Sequence, residues 1–175
     1  MTLPRLVKTV VGLDTGDHNG FCLLNVYKVT GDLLPPEMRT HLYIRGFAVQ
    51  LLGMGTWEGD DEFIDGLSNV LWTMSVADAP AVAVCERFIF TRNSQFGDAR
   101  AVLEMVGATK TLIKILTPNV TFDNSQKAGE AKSLVDDDKL RELGLKKRGD
   151  KQLDHAHDAA RHAILYVAKM RNKQR

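Results

Sequence analysis

The sequence has few of the residues that mark a secreted or membrane protein. It contains 2 cysteines in 175 residues. Cys22 and Cys85 both lie in apolar, strand-like runs without metal-ligand spacing, so we expect small buried side chains in a reducing compartment. No apolar run is long enough to cross a bilayer, and the N-terminal MTLPRLVKTVVGLD has no signal-peptide cleavage pattern. These absences predict a cytoplasmic protein that does not bind membranes.

Net charge is also nearly absent, at +1, but it is unevenly distributed. Residues 139–175 contain eleven Lys or Arg and four Asp or Glu, which makes this stretch +7 and the rest of the chain about −6. A basic C-terminal part on a nearly neutral chain is typical of a protein with a polyanionic partner, although a solvated helix surface explains it equally well. The length and the hydrophobic content of 44% predict one domain over 1–170 and a basic tail over 171–175.

The order of predicted elements indicates the fold class. Strands are predicted at 8–14, 20–29, 41–52, 81–90 and 118–124, and helices at 60–77, 98–116, 125–145 (interrupted near 136) and 154–169. Three consecutive strands come first, and the later strands alternate with helices. This order predicts an α/β fold with a mixed five-stranded sheet, antiparallel at its start and parallel afterwards, with helices on both faces.

Acidic side chains stand at three places where the pattern predicts a strand end or a helix start. Asp14 ends the first strand, Glu86 ends the apolar run VAVCE, and LDHAHDAARHAILYV (153–167) opens the last helix with acids and histidines. Groups at the carboxyl ends of neighbouring parallel strands converge on one crevice, and a helix packed on the sheet can point its first turn there. Oxygen ligands gathered in this way suit Mg²⁺, and a histidine makes Mn²⁺ more acceptable.

The first turn of the last helix offers two alternative pairs of ligands. His155 and Asp158 are three residues apart and Asp154 and Asp158 are four apart, so either pair shares a face. The spacing of three favours His155, whereas ligand hardness favours Asp154. His157 is expected to point away from this face, and His162 to lie further along the helix than the site.

Four blocks of the chain resemble a known family. They are VVGLDTG (10–16), AVAVCERFIF (81–90), QKAGEAK (126–132) and HAHDAARHAILY (155–166). In order and spacing they resemble the RuvC-like Holliday junction resolvases of the ribonuclease H-like superfamily, especially the short phage versions. The resemblance implies a ribonuclease H-like fold and a metal-dependent crossover junction endonuclease.

The resemblance also implies a set of residues and partners. Its catalytic, metal-binding positions correspond here to Asp14, Glu86, His155 and Asp158, with Asp154 as the alternative to His155. It implies two Mg²⁺ ions per site, replaceable by Mn²⁺, no nucleotide cofactor, branched DNA as the substrate, and a homodimer. It places the protein in the cytoplasm of a bacterial host if the chain is phage-encoded.

Basic and aromatic residues near these blocks are candidate DNA contacts. Arg87 and Arg92 follow Glu86 in a polar stretch, and a second basic group precedes the last helix: Lys146, Lys147, Arg148 and Lys151. Such contacts with the DNA backbone are independent of sequence and sensitive to salt. Lys132 falls where the resemblance places a basic residue near the active site, and a solvated helix lysine is the other interpretation.

An aromatic shortly after the glutamate wedges the junction in resolvases of this kind. Phe88 and Phe90, which follow Glu86, are the aromatic candidates here, but the position where the family has its aromatic residue is occupied by Ile89.

The helix predicted at 98–116 is apolar around too much of its circumference for one buried face. Val102, Leu103, Met105 and Val106 illustrate this. A second buried face favours a homodimer, which would also supply the two symmetric cuts that a four-way junction needs. Alternatively, helix 60–77 covers the extra face.

Three functions are consistent with these patterns. The first is resolution of four-way DNA junctions. The second is a ribonuclease H-like nuclease acting on flap DNA or RNA–DNA hybrid. The third is a non-catalytic nucleic-acid-binding protein of this fold, against which the intact set of acidic positions argues.

Overall fold

The computed structural model describes residues 5–15, 18–29, 42–87, 96–127, 129–147 and 154–170. The strands are β1 (Arg5–Asp14), β2 (Asn19–Lys28), β3 (Leu42–Ile44), β4 (Phe47–Trp57), β5 (Ala81–Glu86) and β6 (Val120–Gln126). The helices are α1 (Gly59–Ser75), α2 (Phe96–Leu116), α3 (Glu130–Leu134), α4 (Asp137–Glu142) and α5 (Asp154–Met170). The strands form one sheet in the order β3-β4-β2-β1-β5-β6.

The sheet is mixed in the predicted way. Strands β1, β2, β4 and β3 pair antiparallel, whereas β5 runs parallel to both β1 and β6. The prediction of five strands was one short, because the stretch expected to form one strand at 41–52 is a hairpin. Arg45 and Gly46 turn the chain there, and both have positive φ angles, 46° and 90°. Such angles are those of a tight two-residue hairpin turn.

Helices cover both faces of the sheet, as predicted. On one face, α5 and the short helices α3 and α4 bury a cluster that includes Val10, Leu24 and Val84. On the other face, α1 and α2 bury a cluster that includes Val11, Leu13 and Ala83. Neighbouring residues of β1 thus enter opposite clusters, as the alternation of side chains along a strand requires. Cys22 and Cys85 are buried as expected, and burial raises the pKa of each thiol to about 12.

Helix α1 covers part of the apolar surface of α2. Phe63 and Leu67 of α1 share a buried cluster with Met105 and Ile113 of α2. Val106, which was expected on a dimer face, is 9% exposed in the single chain. A smaller exposed set remains on α2: Leu103, Ile115 and Leu116. None of the helices within the described residues is long and apolar enough to cross a membrane.

Candidate active site

Two of the predicted carboxylates meet at one edge of the sheet. Leu13 of β1 pairs with Cys85 of β5 in parallel register, so the next residues, Asp14 and Glu86, end their strands side by side. Both side chains line a cavity of about 180 Å³. This is the convergence that the carboxyl ends of neighbouring parallel strands produce.

Two glycines allow α5 to approach this edge closely. A Cβ atom on Gly12 would lie 2.0 Å from the carbonyl oxygen of Ala159, and one on Gly20 would lie 2.1 Å from that of His155. Both distances are far below van der Waals contact, so neither position tolerates a side chain while α5 stays in place. Gly12, the glycine of VVGLD, therefore allows α5 to approach β1, and Gly20 allows its first turn to approach β2.

This approach brings His155 to Asp14. The imidazole Nδ1 lies 2.8 Å from Oδ2 of Asp14. Asp154, the alternative to His155, is 62% exposed in its side chain and faces Lys146, with 3.8 Å between Nζ and Oδ1. Of the two candidates, the structure places His155 beside the strand-end carboxylates. His157 is buried on the other side of the helix start, as expected.

Asp158 lies one turn after His155 and is held by two cations. Lys132 Nζ is 2.7 Å from Oδ2, and Arg161 contacts Oδ1. Lys132 also lines the cavity with Asp14 and Glu86. It therefore lies on the same cavity as the two strand-end carboxylates, although its side chain is 66% exposed.

The carboxylates of the site influence each other. Burial is the largest cause that raises the pKa of Asp14, and the negative charge of Asp158 raises it further, while the hydrogen bond with His155 opposes both. Burial also raises the pKa of Glu86, with Asp14 adding to it, whereas the backbone N–H of Gly129 donates to Oε2 at 3.1 Å and opposes the shift. A site that concentrates negative charge against its own repulsion suits a cation.

The donor groups of the site are those that divalent metal ions bind, but they are spread along the sheet edge. Among the described residues, no group of three or more His, Cys, Asp or Glu side chains stands close enough to share one ion. Lysine, arginine and imidazole groups contact Asp158 and Asp14 instead. The chemistry of the donors, three carboxylates and one imidazole around one edge of the sheet, nevertheless fits Mg²⁺ or Mn²⁺.

His162 was expected to lie beyond the site, and this expectation was wrong. It lines the cavity with Asp14, Glu86 and Lys132. Its Nδ1 donates to Oε1 of Gln126 at 2.8 Å, and Nε2 of Gln126 donates back to the carbonyl oxygen of His162 at 2.8 Å. Burial lowers the pKa of His162 to about 4, so the ring is neutral at neutral pH. The spacing of four from Asp158 was the signal that could have identified it.

The predicted DNA contacts are placed unevenly. Arg87 and Lys147 are exposed. Lys146 is not, because its Nζ is 2.9 Å from Oδ2 of Asp137 and its side chain is only 12% exposed. The other candidates lie outside the described residues: Phe88, Ile89, Phe90, Arg92, Arg148 and Lys151, together with the tail 171–175. Val102, one of the apolar residues of the helix predicted at 98–116, also lines the cavity.

The strand order and the two carboxylates at the ends of neighbouring parallel strands define a ribonuclease H-like α/β fold. Within that class, the fold is similar to that of RuvC. The structure of Thermus thermophilus RuvC in complex with a Holliday junction substrate matches with a TM-score of 0.60 at 16% identity, over 94% of this chain and 96% of that one. A second Thermus thermophilus RuvC structure matches over the same shares with a TM-score of 0.54 at 16% identity. No family model and no curated protein matches the sequence.

Proposed function

We propose that the protein is a metal-dependent, structure-selective DNA endonuclease that resolves four-way junctions by phosphodiester hydrolysis. One observation carries the proposal. Asp14 and Glu86 line one cavity at the ends of β1 and β5, and Lys132 of that cavity binds Asp158 on α5. This arrangement occurs in a chain with the fold of RuvC, and RuvC of Thermus thermophilus has been solved with a Holliday junction substrate.

The proposed ligands of two Mg²⁺ ions are Asp14, Glu86, Asp158 and His155, and Mn²⁺ is expected to substitute. When bound, two such ions supply a nucleophile from water at neutral pH and stabilise the leaving oxygen of the phosphodiester. His155 holds Asp14 in place through its Nδ1 contact. Lys132, with a largely exposed side chain on the cavity, is suited to contact a phosphate of the DNA.

We assign contacts with the DNA backbone to the basic residues around this edge of the sheet. Lys147 and Arg87 are exposed and available. The same contact with DNA is proposed, from their positions in the sequence alone, for Arg92, Arg148 and Lys151. Lys146 is assigned a different role, since its ammonium group is occupied by Asp137 and lies near Asp154. Contacts of this kind contribute affinity without sequence preference.

A homodimer is proposed because a four-way junction needs two symmetric cuts. The helix assigned to it is α2, where three apolar side chains remain exposed: Leu103, Ile115 and Leu116. These side chains are 45%, 69% and 45% exposed in the single chain. Exposed apolar side chains on a helix are typical of a subunit contact.

The decisive experiment compares DNA structures with the same sequence content. The purified protein is incubated with four-way, flap, linear duplex and RNA–DNA hybrid substrates in Mg²⁺, and Asp14→Asn serves as the inactive control. Paired, symmetric cuts in the four-way junction, lost in the control, are expected. Preferential cleavage of flap or hybrid would replace the junction assignment with the second nuclease function. Binding without any cleavage in Mg²⁺ or Mn²⁺ would identify a non-catalytic nucleic-acid-binding protein.

A further inference from the structure

Arg161 is a buried cation in the second turn of α5. Its side chain is 10% exposed. Nε donates to the carbonyl oxygen of Val135 at 3.0 Å, and the two terminal nitrogens contact carboxylate oxygens of Asp158 and Asp137. Every nitrogen of the guanidinium group therefore has a partner. A buried charge with this many partners has a fixed orientation, because any rotation would leave donors unsatisfied.

The two carboxylate oxygens of Asp158 contact cations that differ in burial and in anchoring. Oδ1 is bound by Arg161, which is buried and anchored at two further points. Oδ2 is bound by Lys132, whose side chain is 66% exposed and has no such anchor among the described residues. Lys132 can leave for solvent or for a phosphate, whereas Arg161 cannot leave without breaking its contacts with Val135 and Asp137.

We propose that Arg161 is a positioning residue that fixes the plane of the Asp158 carboxylate and directs Oδ2 to the cavity. The inference rests on the proposed function, in which Asp158 is a metal ligand. Arg161 acts through Asp158 and contacts neither metal nor substrate. Asp137, the first residue of α4, anchors the guanidinium through the terminal nitrogen that does not contact Asp158.

A role in charge balance alone would have the opposite effect on cation binding. Removing a positive charge beside a metal ligand strengthens the attraction of the site for a divalent cation, since like charges repel. Removing the partner that orients a ligand weakens metal binding, by about tenfold to a hundredfold in metalloproteins. The two roles can therefore be separated by the direction of the change in affinity.

The experiment measures Mn²⁺ binding without DNA, from the paramagnetic resonance signal of the free ion. Arg161→Met removes the charge, and Arg161→Lys retains the charge without the planar fork. Asp137→Asn weakens one anchor by removing its charge and spares the contact with Asp158. We expect the Kd for Mn²⁺ to rise about tenfold or more in both Arg161 variants and less in Asp137→Asn. Cleavage under single-turnover conditions should fall in the same order, and thermal unfolding checks that each variant is folded.

Several outcomes would overturn the inference. Tighter Mn²⁺ binding by Arg161→Met would show a charge role, and unchanged binding by Arg161→Lys would show that the fork is not required. If Arg161→Met does not fold, the lysine variant alone decides. A parent protein that binds no Mn²⁺ and cuts no DNA would contradict the proposed function itself. A parent protein that binds Mn²⁺ with the same affinity as Arg161→Lys would contradict only the role of Arg161.

Discussion

His155 Nδ1 and Asp14 Oδ2 lie 2.8 Å apart, although 141 residues separate the two side chains in the sequence. The contact joins the start of the last helix to the end of the first strand. It also helps to explain why α5 begins with so many polar residues. His155 and Asp158 face the sheet edge, and Asp154 faces Lys146. Arg161 binds Val135, which follows α3, and Asp137 of α4, and His162 binds Gln126 of β6.

His155 is expected to matter for cleavage far more than its neighbour. His155→Ala should reduce cleavage strongly, and His155→Asp should retain part of the Mg²⁺-dependent activity because a carboxylate can replace an imidazole as a ligand of this hard cation. Asp154→Ala is the matched control. It should cost about 0.5 kcal/mol of stability through the helix dipole and leave cleavage near the parent rate. An inactive Asp154→Ala variant together with an active His155→Ala variant would mean that the roles of the two residues are the reverse of those proposed.

Asp14→Asn should abolish cleavage without reducing stability. The pKa of Asp14 is raised, mainly by burial, which means that folding disfavours its charged form at neutral pH. The neutral amide removes that cost, so the midpoint of thermal unfolding in chelator should be equal to that of the parent or higher. Added Mg²⁺ should raise the midpoint of the parent and not that of the variant, since only the parent binds the ion. A variant that melts well below the parent in chelator would contradict this account.

Acid should destabilise the protein through His162. Its pKa is lowered to about 4 from an ordinary 6.5, so the unfolded chain takes up a proton below pH 6.5 while the folded chain does not. The stability contributed by the neutral ring is complete above that pH and is lost as pH falls toward 4. Between pH 7 and pH 5 the loss should be about 2 kcal/mol.

The control for this effect is His162→Asn, whose amide nitrogen can take the place of Nδ1 opposite Gln126. Urea unfolding at several pH values should show a shallower loss of stability for this variant over the same interval. Identical pH dependence in the two proteins would show that another group is responsible.

Lys146 and Lys147 are adjacent and should behave differently. Lys147→Ala should weaken DNA binding and reduce the slope of log affinity against log salt by about 1, as expected for one lost phosphate contact. Lys146→Ala should mainly lower stability, because it leaves Asp137 with one cation fewer. Fluorescence anisotropy at several salt concentrations, together with thermal unfolding, separates the two effects. A salt slope that changes only in the Lys146 variant would reverse the assignment.

The parent should be a homodimer at micromolar concentration. Leu103→Asp on α2 should yield monomers in analytical ultracentrifugation and abolish paired cutting of a junction. Leu134→Asp serves as the control, since Leu134 is 62% exposed on α3, on the other face of the sheet. Val106 is unsuitable for this test, since it is buried in the single chain and a charge there would unfold it. A monomeric parent would remove the basis for symmetric cutting.

The order of elements and both strand-end carboxylates were predictable from the sequence, because hydrophobic periodicity and the position of an acid at a strand end are local signals. The β3–β4 hairpin was missed because its turn residues are Arg45 and Gly46, and arginine rarely occupies a left-handed conformation. The burial of Lys146 was also missed, because it depends on Asp137 and Asp154, which approach it only in the folded chain. Helical spacing alone could have shown that His162 shares a face with Asp158.

The close approach of α5 to Gly12 and Gly20 has a consequence for local opening of the structure. The first turns of the helix touch β1 and β2 through backbone atoms, so they cannot separate from the sheet by a side-chain rearrangement alone. In native-state hydrogen exchange, the hydrogen-bonded amides of α5 around Ala159 should therefore exchange together with those of β1 and β2, as one cooperative unit. The start of a helix usually frays, but here these amides should be among the most slowly exchanging of the chain, and the side chains of the first turns would keep their arrangement until the central strands open.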